Sequence, residues 1–158
     1  MFRVGDVVRI GVTGHIHLTE SSRRLIYDAL VRELRPYAGM RGVTCLAEGA
    51  DRLFAQAVRE CAGTYEVVLP GTDDPGTELL RLLGEAVAVS QLPALPQPAE
   101  SYAAASEEML RRSDRLVAVW DGDGRGGPGG TADTVARARA RGVPVTVVWP
   151  DGAERCAA

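Results

Sequence analysis

Leu116-Val117-Ala118-Val119-Trp120, running into Asp121-Gly122-Asp123-Gly124-Arg125-Gly126-Gly127-Pro128-Gly129-Gly130-Thr131, is the stretch whose reading decides the fold. The first five residues are apolar without interruption. A strand with one wet face would alternate apolar and polar side chains; an unbroken run suits a strand covered on both faces, as in a parallel sheet. The next ten residues, 121–130, hold six glycines, and the alanine-rich segment from Thr131 reads as a helix. Strand, glycine turn and helix in that order make half of a βαβ unit.

The same alternation extends in both directions. Val7-Val8-Arg9-Ile10-Gly11-Val12 reads as a first strand ended by Thr13-Gly14. Thr19 or Ser21 can cap a helix with Leu25, Ile26, Leu30 and Leu34 at helical spacing, ended by Pro36 and Gly39. Val43-Thr44-Cys45-Leu46 is the second strand, and Leu53, Phe54, Ala57, Val58 and Cys61 mark one face of a second helix. Glu66-Val67-Val68-Leu69 is the third strand, closed by Pro70-Gly71, and 77–85 is helical by composition. A short strand is expected within 86–92, then a helix capped by Ser101 and running to Ser113, and a last strand within 143–149. Strands alternating with helices in this way predict one α/β domain over 1–150, a three-layer αβα sandwich with a mainly parallel sheet. The polar tail, 151–158, is expected to fray.

Composition narrows the function. The chain has 158 residues, 46% hydrophobic and 25% charged, with a formal net charge of −3, enough for one core and short of the basic excess of a dedicated nucleic-acid binder. No apolar run reaches the roughly 20 residues of a membrane span. Cys45, Cys61 and Cys156 show no metal-ligand spacing, and their odd number suits a reducing cytoplasm. All 18 cationic residues are arginine. A phosphate lysine, a Schiff-base lysine or any catalytic ammonium is thereby excluded. A bound phosphate must rely on arginine, backbone amides or a metal.

In an open parallel sheet, ligands sit beyond the carboxyl ends of the strands. The residues expected there are Gly11, Thr13, Gly14 and His15 after the first strand, Glu48, Gly49, Ala50 and Asp51 after the second, 70–74 after the third, and 121–134 after the strand ending at Trp120. Glycines let a backbone approach an anion, and the helix that follows presents free amides and a positive dipole end. Gly129, Gly130 and Thr131 are therefore the expected phosphate site; the bland alternative is a flexible loop with a threonine cap. Gly11-Val12-Thr13-Gly14 falls short of the Gly-x-Gly-x-x-Gly fingerprint, which disfavours an ordinary nicotinamide dehydrogenase.

Three segments carry a resemblance: Ile10-Gly11-Val12-Thr13-Gly14-His15, Cys45-Leu46-Ala47-Glu48-Gly49-Ala50-Asp51, and Gly129-Gly130-Thr131. Together they resemble the SLOG superfamily of Rossmann-like nucleotide-binding proteins, which includes DNA-processing protein A, the Lonely Guy phosphoribohydrolases and the molybdenum-cofactor carrier proteins. The resemblance spans roughly Val7 to Trp149 and implies a nucleotide or nucleotide-derived ligand with its phosphate at Gly129-Gly130-Thr131. It also offers an alternative, hydrolysis of the N-glycosidic bond of a nucleoside monophosphate. Lonely Guy enzymes carry Pro-Gly-Gly-x-Gly-Thr-x-x-Glu; aligned on Gly130-Thr131, the glutamate position holds Thr134, with Asp133 one residue early, about 100° away on a helix. Glu48 and Asp133 are the remaining candidates for a general base.

Other groups have ordinary readings beside functional ones. His15 can donate to a phosphate or simply cap a turn, and His15 and His17, two apart on an extended segment, point to opposite sides and make a poor metal pair. Glu48 and Asp51 fit ribose contact or a helix N-terminus. Asp121 and Asp123 can hold Mg²⁺ through water beside a phosphate, or form turns. Tyr102 and Trp120 can face a base or pack. Ala132, Ala136, Ala140 and Val135 are expected to form the packing face of the last helix, and Arg111, Arg112 and Arg115 are the nearest thing to a basic patch. The helix 101–113, with Tyr102, Met109 and Leu110, is the expected surface for a homodimer, an assembly common in the superfamily.

Overall fold

A computed structural model describes residues 7–71 and 76–156; the expected ligand loop at 72–74 lies outside them. The chain runs β1 (Arg9–Gly14), α1 (Glu20–Leu34), a 3-10 turn (Arg35–Tyr37), β2 (Arg41–Thr44), α2 (Ala50–Glu60), β3 (Thr64–Leu69), α3 (Gly76–Glu85), β4 (Ala88–Gln91), α4 (Pro98–Arg111), β5 (Arg115–Val119), α5 (Thr131–Ala140) and β6 (Val145–Val147). The six strands form one sheet in the order β4-β3-β2-β1-β5-β6, and every neighbouring pair is parallel. This is the expected three-layer α/β sandwich. The order reverses between β1 and β5, where successive connections leave on opposite sides of the sheet.

Two apolar clusters fill the layers. One gathers Ile10, Val12, Val67, Val117 and Val119 of the sheet with Ile26 and Leu30 of α1, Phe54 and Val58 of α2, and Leu82 of α3. The other joins Val43, Val68 and Leu116 to Ala105, Met109 and Leu110 of α4 and Ala138 of α5. Each fully buried Leu, Ile, Val or Phe contributes about 1.5–3 kcal/mol. Alternation along a strand divides the two faces, so β1 turns Ile10 and Val12 toward α1–α2 and Gly11 and Thr13 toward α4–α5.

Several local expectations are corrected by packing. β2 ends at Thr44 because Leu46 takes a φ of 54° and folds back into the core. Leu25 is exposed on α1. Ser101 does not cap α4, which starts at Pro98 behind Gln97; its hydroxyl is buried and accepts from the Leu95 amide at 3.0 Å. On α5 the buried residues are Thr134, Val135 and Ala138, with Ala136 and Ala140 exposed. Met109 and Leu110 lie in the core, so α4 offers them to no partner.

The tail does not fray over 151–156. Leu18 and Arg155 form an antiparallel bridge. The Cys156 amide donates to the His17 carbonyl, and the Thr19 amide to the Glu154 carbonyl. The Glu154 amide donates to Ser22 Oγ at 2.6 Å, and that hydroxyl also accepts from Thr19 Oγ1 at 2.6 Å. Since Thr19 Oγ1 accepts the Ser22 amide as the α1 N-cap, one cap fastens both helix and tail.

Candidate functional site

The switch point between β1 and β5 brings His15 beside Asp121. The His15 amide donates to the Val119 carbonyl, and its own carbonyl accepts the Ala50 amide, tying the end of β1 to β5 and to the start of α2. Gly14 makes this crossing possible, since a β-carbon there would stand 2.5 Å from Ala50 Cβ and 2.8 Å from Val119 Cβ. His15 Nε2 accepts the Asp121 amide at 3.2 Å, and the ring meets Trp149 edge-on at 5.5 Å. Burial and the charge of Arg155 hold the imidazole pKa below its ordinary value, against the pull of Asp121.

The acidic groups of the following loop are already neutralised. Asp121 accepts from the Asp123 amide at 2.9 Å and from Arg155 Nη1 at 3.2 Å. Burial works to raise the Asp121 pKa, but these bonds and His15 bring it below the usual carboxylate range. Arg125 grips both oxygens of Asp123 and holds its pKa well down. The donor set therefore does not suit a resident Mg²⁺, and among the described residues no group of three or more His, Cys, Asp or Glu is placed to hold a metal. Trp120 Nε1 donates to the Asp123 carbonyl at 2.9 Å, so the indole secures the loop instead of filling the core.

At the far end of that loop the expected phosphate cradle is partly spent. The Gly129 amide donates to Asp133 Oδ2 at 2.9 Å, and the Gly130 amide to the Gly127 carbonyl at 3.1 Å. The amides of Thr131, Ala132 and Asp133, the first turn of α5, have no acceptor among the described residues. Gly129, with φ 78°, passes so close to α4 that a β-carbon would lie 2.8 Å from the Ala103 backbone. Thr134 is fully buried and donates its hydroxyl to the Gly130 carbonyl at 2.9 Å, while Asp133 also takes Arg137 Nε at 3.1 Å.

The other nominated residues separate into two kinds. Gly11 lies inside β1, paired with Val43 and Leu116, and a β-carbon there would strike Ser113 Oγ at 2.4 Å and Met109 Sδ at 2.5 Å. It is a packing glycine, below the edge where a ligand would sit. Asp51 is turned inward: its carboxylate accepts the Ala47 amide at 3.3 Å, with further bonds from the Cys45 amide and the Thr44 hydroxyl. Burial outweighs these donors and pushes its pKa up to about 7. The same burial, with the Asp51 charge, drives the Cys45 thiol far up and leaves it inert. Gly49 has φ 79°, and a β-carbon would lie 2.4 Å from the Ile16 carbonyl oxygen. By contrast Glu48 is exposed, and among the described residues neither its carboxylate nor the Thr13 hydroxyl, on the α4–α5 face, has a partner.

The basic patch is largely engaged elsewhere. Arg112 binds Glu66, Glu108 and Ser90, Arg111 binds Glu108, and Arg115 stacks 5.5 Å above the Tyr37 ring. Glu66, a buried carboxylate on β3, also collects Arg9 and Arg41 at the amino edge of the sheet. Neither this cluster nor the hold of Arg155 and Trp149 on the switch point stands out in the sequence; the only available signal was a charged residue at the head of an apolar strand. A groove of about 780 Å³ between α1 and α2, lined by Glu20, Arg24, Tyr27 and Gln56, contains none of the nominated residues. No described helix is long and apolar enough to cross a membrane.

Family models and curated sequences give no match to the chain. Solved structures do. The protein TM1055 is 24% identical, with a TM-score of 0.62 over 88% of this chain and 72% of its own. DNA processing protein A from Streptococcus pneumoniae is 17% identical, with a TM-score of 0.69 over 92% of this chain. This chain spans 52% of that protein, about half its length. The molybdenum cofactor carrier protein from Chlamydomonas reinhardtii is 20% identical, with a TM-score of 0.56, covering 90% and 76% of the two chains. The chain thus shares its Rossmann-like fold with these proteins.

Proposed function

We propose that this protein binds a nucleotide or nucleotide-derived ligand at the carboxyl edge of the sheet, in the crevice opened by the switch between β1 and β5. The observation that carries the reading is the set of unsatisfied donors on one face of that switch. The Thr13 hydroxyl and the first-turn amides of α5, at Thr131, Ala132 and Asp133, have no acceptor among the described residues. Three amides aligned with a helix dipole suit a phosphate, and a chain without lysine needs such a device. In this reading Gly129 and Gly130 shape the approach, their own amides being used internally. Thr131 adds its hydroxyl, Glu48 meets the ribose, and Gly14, His15 and Gly49 frame the floor. Asp51 and Asp121 act indirectly, one by holding the Glu48 loop and the other by holding His15. The molybdenum cofactor carrier among the structural neighbours is named for a small-molecule ligand, which agrees with this class of partner.

Binding is a better reading than glycosidic hydrolysis. Thr134 is buried, Asp133 is engaged by Gly129 and Arg137, and Glu48 alone is left as a free carboxylate. Titration calorimetry against mono-, di- and cyclic nucleotides tests the proposal. Binding weakened about tenfold by Thr131→Ala supports it, a loss of about 1.4 kcal/mol. No binding to any nucleotide, or affinity indifferent to Thr131→Ala, overturns it. Release of free base from a nucleoside monophosphate, abolished in Glu48→Gln, would install the hydrolase instead.

A further inference from the structure

Three turns frame the crevice, 15–19 after β1, 45–49 before α2 and 120–130 after β5, and Arg125 is the only arginine in them. The neighbouring arginines are committed to the protein. Arg52, with its side chain 12% exposed, gives Nε to the Leu46 carbonyl at 3.1 Å and Nη1 to Glu78 at 3.3 Å. Arg155 reaches from the tail to Asp121. Arg125 is held otherwise. Its side chain is 91% exposed, and its hydrogen bonds among the described residues all go to Asp123, two residues back in the same loop. An ion pair that open to water is worth little and is easily exchanged. A β-carbon at Gly122, Gly124, Gly126 or Gly127 would meet nothing within 4 Å, so the backbone that carries Arg125 is free to turn.

Such an exchange would leave no charge alone. Asp123 keeps the Arg125 amide at 3.0 Å, and Arg155 Nη1 already stands 3.7 Å from its other oxygen. The loop also leads to the donors of the crevice. The Gly130 amide closes a turn on the Gly127 carbonyl, and Gly126 alone separates Arg125 from that turn. Beyond it lie the first-turn amides of α5, without an acceptor among the described residues. The face that β1 turns toward α5 adds the Thr13 hydroxyl, also without a partner there, on a residue only 8% exposed.

We propose that the ligand carries two consecutive phosphates, and that Arg125 leaves Asp123 to grip the second while α5 holds the first. The proposal rests on the nucleotide-binding reading above and adds the residue that counts phosphates. Three amides and two hydroxyls, those of Thr13 and Thr131, suffice for the outer oxygens of one phosphate. A guanidinium beside them finds an unclaimed acceptor only on a second phosphate, which it takes through two parallel hydrogen bonds. A diphosphate calls for a full positive charge as well as aligned amides, and in a chain without lysine this loop supplies it.

Titration calorimetry without divalent cations, ADP against AMP and GDP against GMP, tests the assignment. The expected result is a preference for the diphosphate of about tenfold or more, the size of one charge-assisted fork. Arg125→Gln should abolish that preference, and Arg125→Lys, which keeps the charge and loses the fork, should restore part of it. Asp123→Asn releases Arg125 and should tighten ADP binding about threefold, a gain that vanishes when Arg125→Gln is added. Weaker ADP binding in Asp123→Asn would make the aspartate a contact of the ligand and overturns the exchange. A diphosphate preference that survives Arg125→Gln overturns it too. Monophosphates bound as tightly as diphosphates, with affinity lowered by Thr131→Ala, overturn this inference and leave the nucleotide-binding reading standing. No binding to any of the nucleotides overturns both.

Discussion

Two glycine-containing turns meet at the carboxyl edge of the sheet. Between β2 and α2 the chain is packed on either side of the exposed Glu48: Leu46 is buried, its amide held by Thr44 Oγ1 and its carbonyl by Arg52 Nε, and Gly49 lies against the His15 and Ile16 carbonyls. Between β5 and α5 the chain touches little. A β-carbon at Gly122, Gly124, Gly126 or Gly127 would meet nothing within 4 Å, and the segment is held at its ends, by Asp121, Asp123 and Trp120 on one side and Gly129 on the other. One turn uses glycine because a side chain has no room; the other has room throughout, and only Gly122 (φ 89°) and Gly126 (φ 139°) in 122–127 hold a conformation that favours glycine. A ligand that needs the backbone to move toward it finds that freedom in the second turn and a fixed floor in the first.

The sharpest way to break this contrast is Gly49→Ala. Positive φ and a 2.4 Å clash with main-chain oxygen leave no room to relax, so stability should fall by roughly 3 kcal/mol or more, read as a lowered urea midpoint. An unchanged midpoint would show the first turn to be as loose as the second. Next in size is a pH effect at Asp51. Its carboxyl titrates at about 7 in the folded protein against an ordinary 3.8, so the unfolded chain ionises first and stability drains away as pH rises from about 4 to about 7. The loss should amount to a few kcal/mol, of the order set by a shift of this size. Asp51→Asn, which cannot ionise, should flatten that slope in denaturation curves taken at pH 4.5 and 7.5.

Gly129→Ala probes the seam between the two kinds of turn. With φ 78° and the Ala103 backbone at 2.8 Å, it should cost about 1–3 kcal/mol and displace the start of α5, so thermal stability and nucleotide affinity fall together. Smallest is Gly124→Ala, where neither φ nor space objects. Stability should stay within about 0.5 kcal/mol or rise slightly through the unfolded chain. Any loss of nucleotide affinity in that variant would then measure the motion of the loop.

The alternation of strands and helices and a parallel sheet covered on both faces are legible in the sequence, because such a sheet needs runs such as Val67-Val68-Leu69 and Leu116–Val119, which no surface segment imitates. The purpose of individual polar and small residues is not legible in the same way. Gly11 reads as part of a binding turn because its chemistry is that of one, yet Met109 and Ser113, about a hundred residues later, decide that nothing larger fits. Asp51 at the head of a helix suggests an outward carboxylate; its inward turn depends on where Thr44 and Ala47 present their donors. The tail looks frayed because it is polar, and a few backbone bonds to 17–22 are enough to hold it. Pairwise geometry between distant segments has no periodic signature.

One consequence reaches back to how the molecule is made. β1 is made before the other five strands of the sheet and ends in its middle, with β2 on one side and β5 on the other. During translation it acquires one neighbour early and the other only when 115–119 emerge, and the turn after it is clasped by residues 154–156, which follow later still. The crevice between β1 and β5 is therefore a late product of synthesis, absent from any nascent chain that already holds β1 to β4 in place. A chain cut short before β5 would hold β1 to β4 as a half-sheet with no crevice.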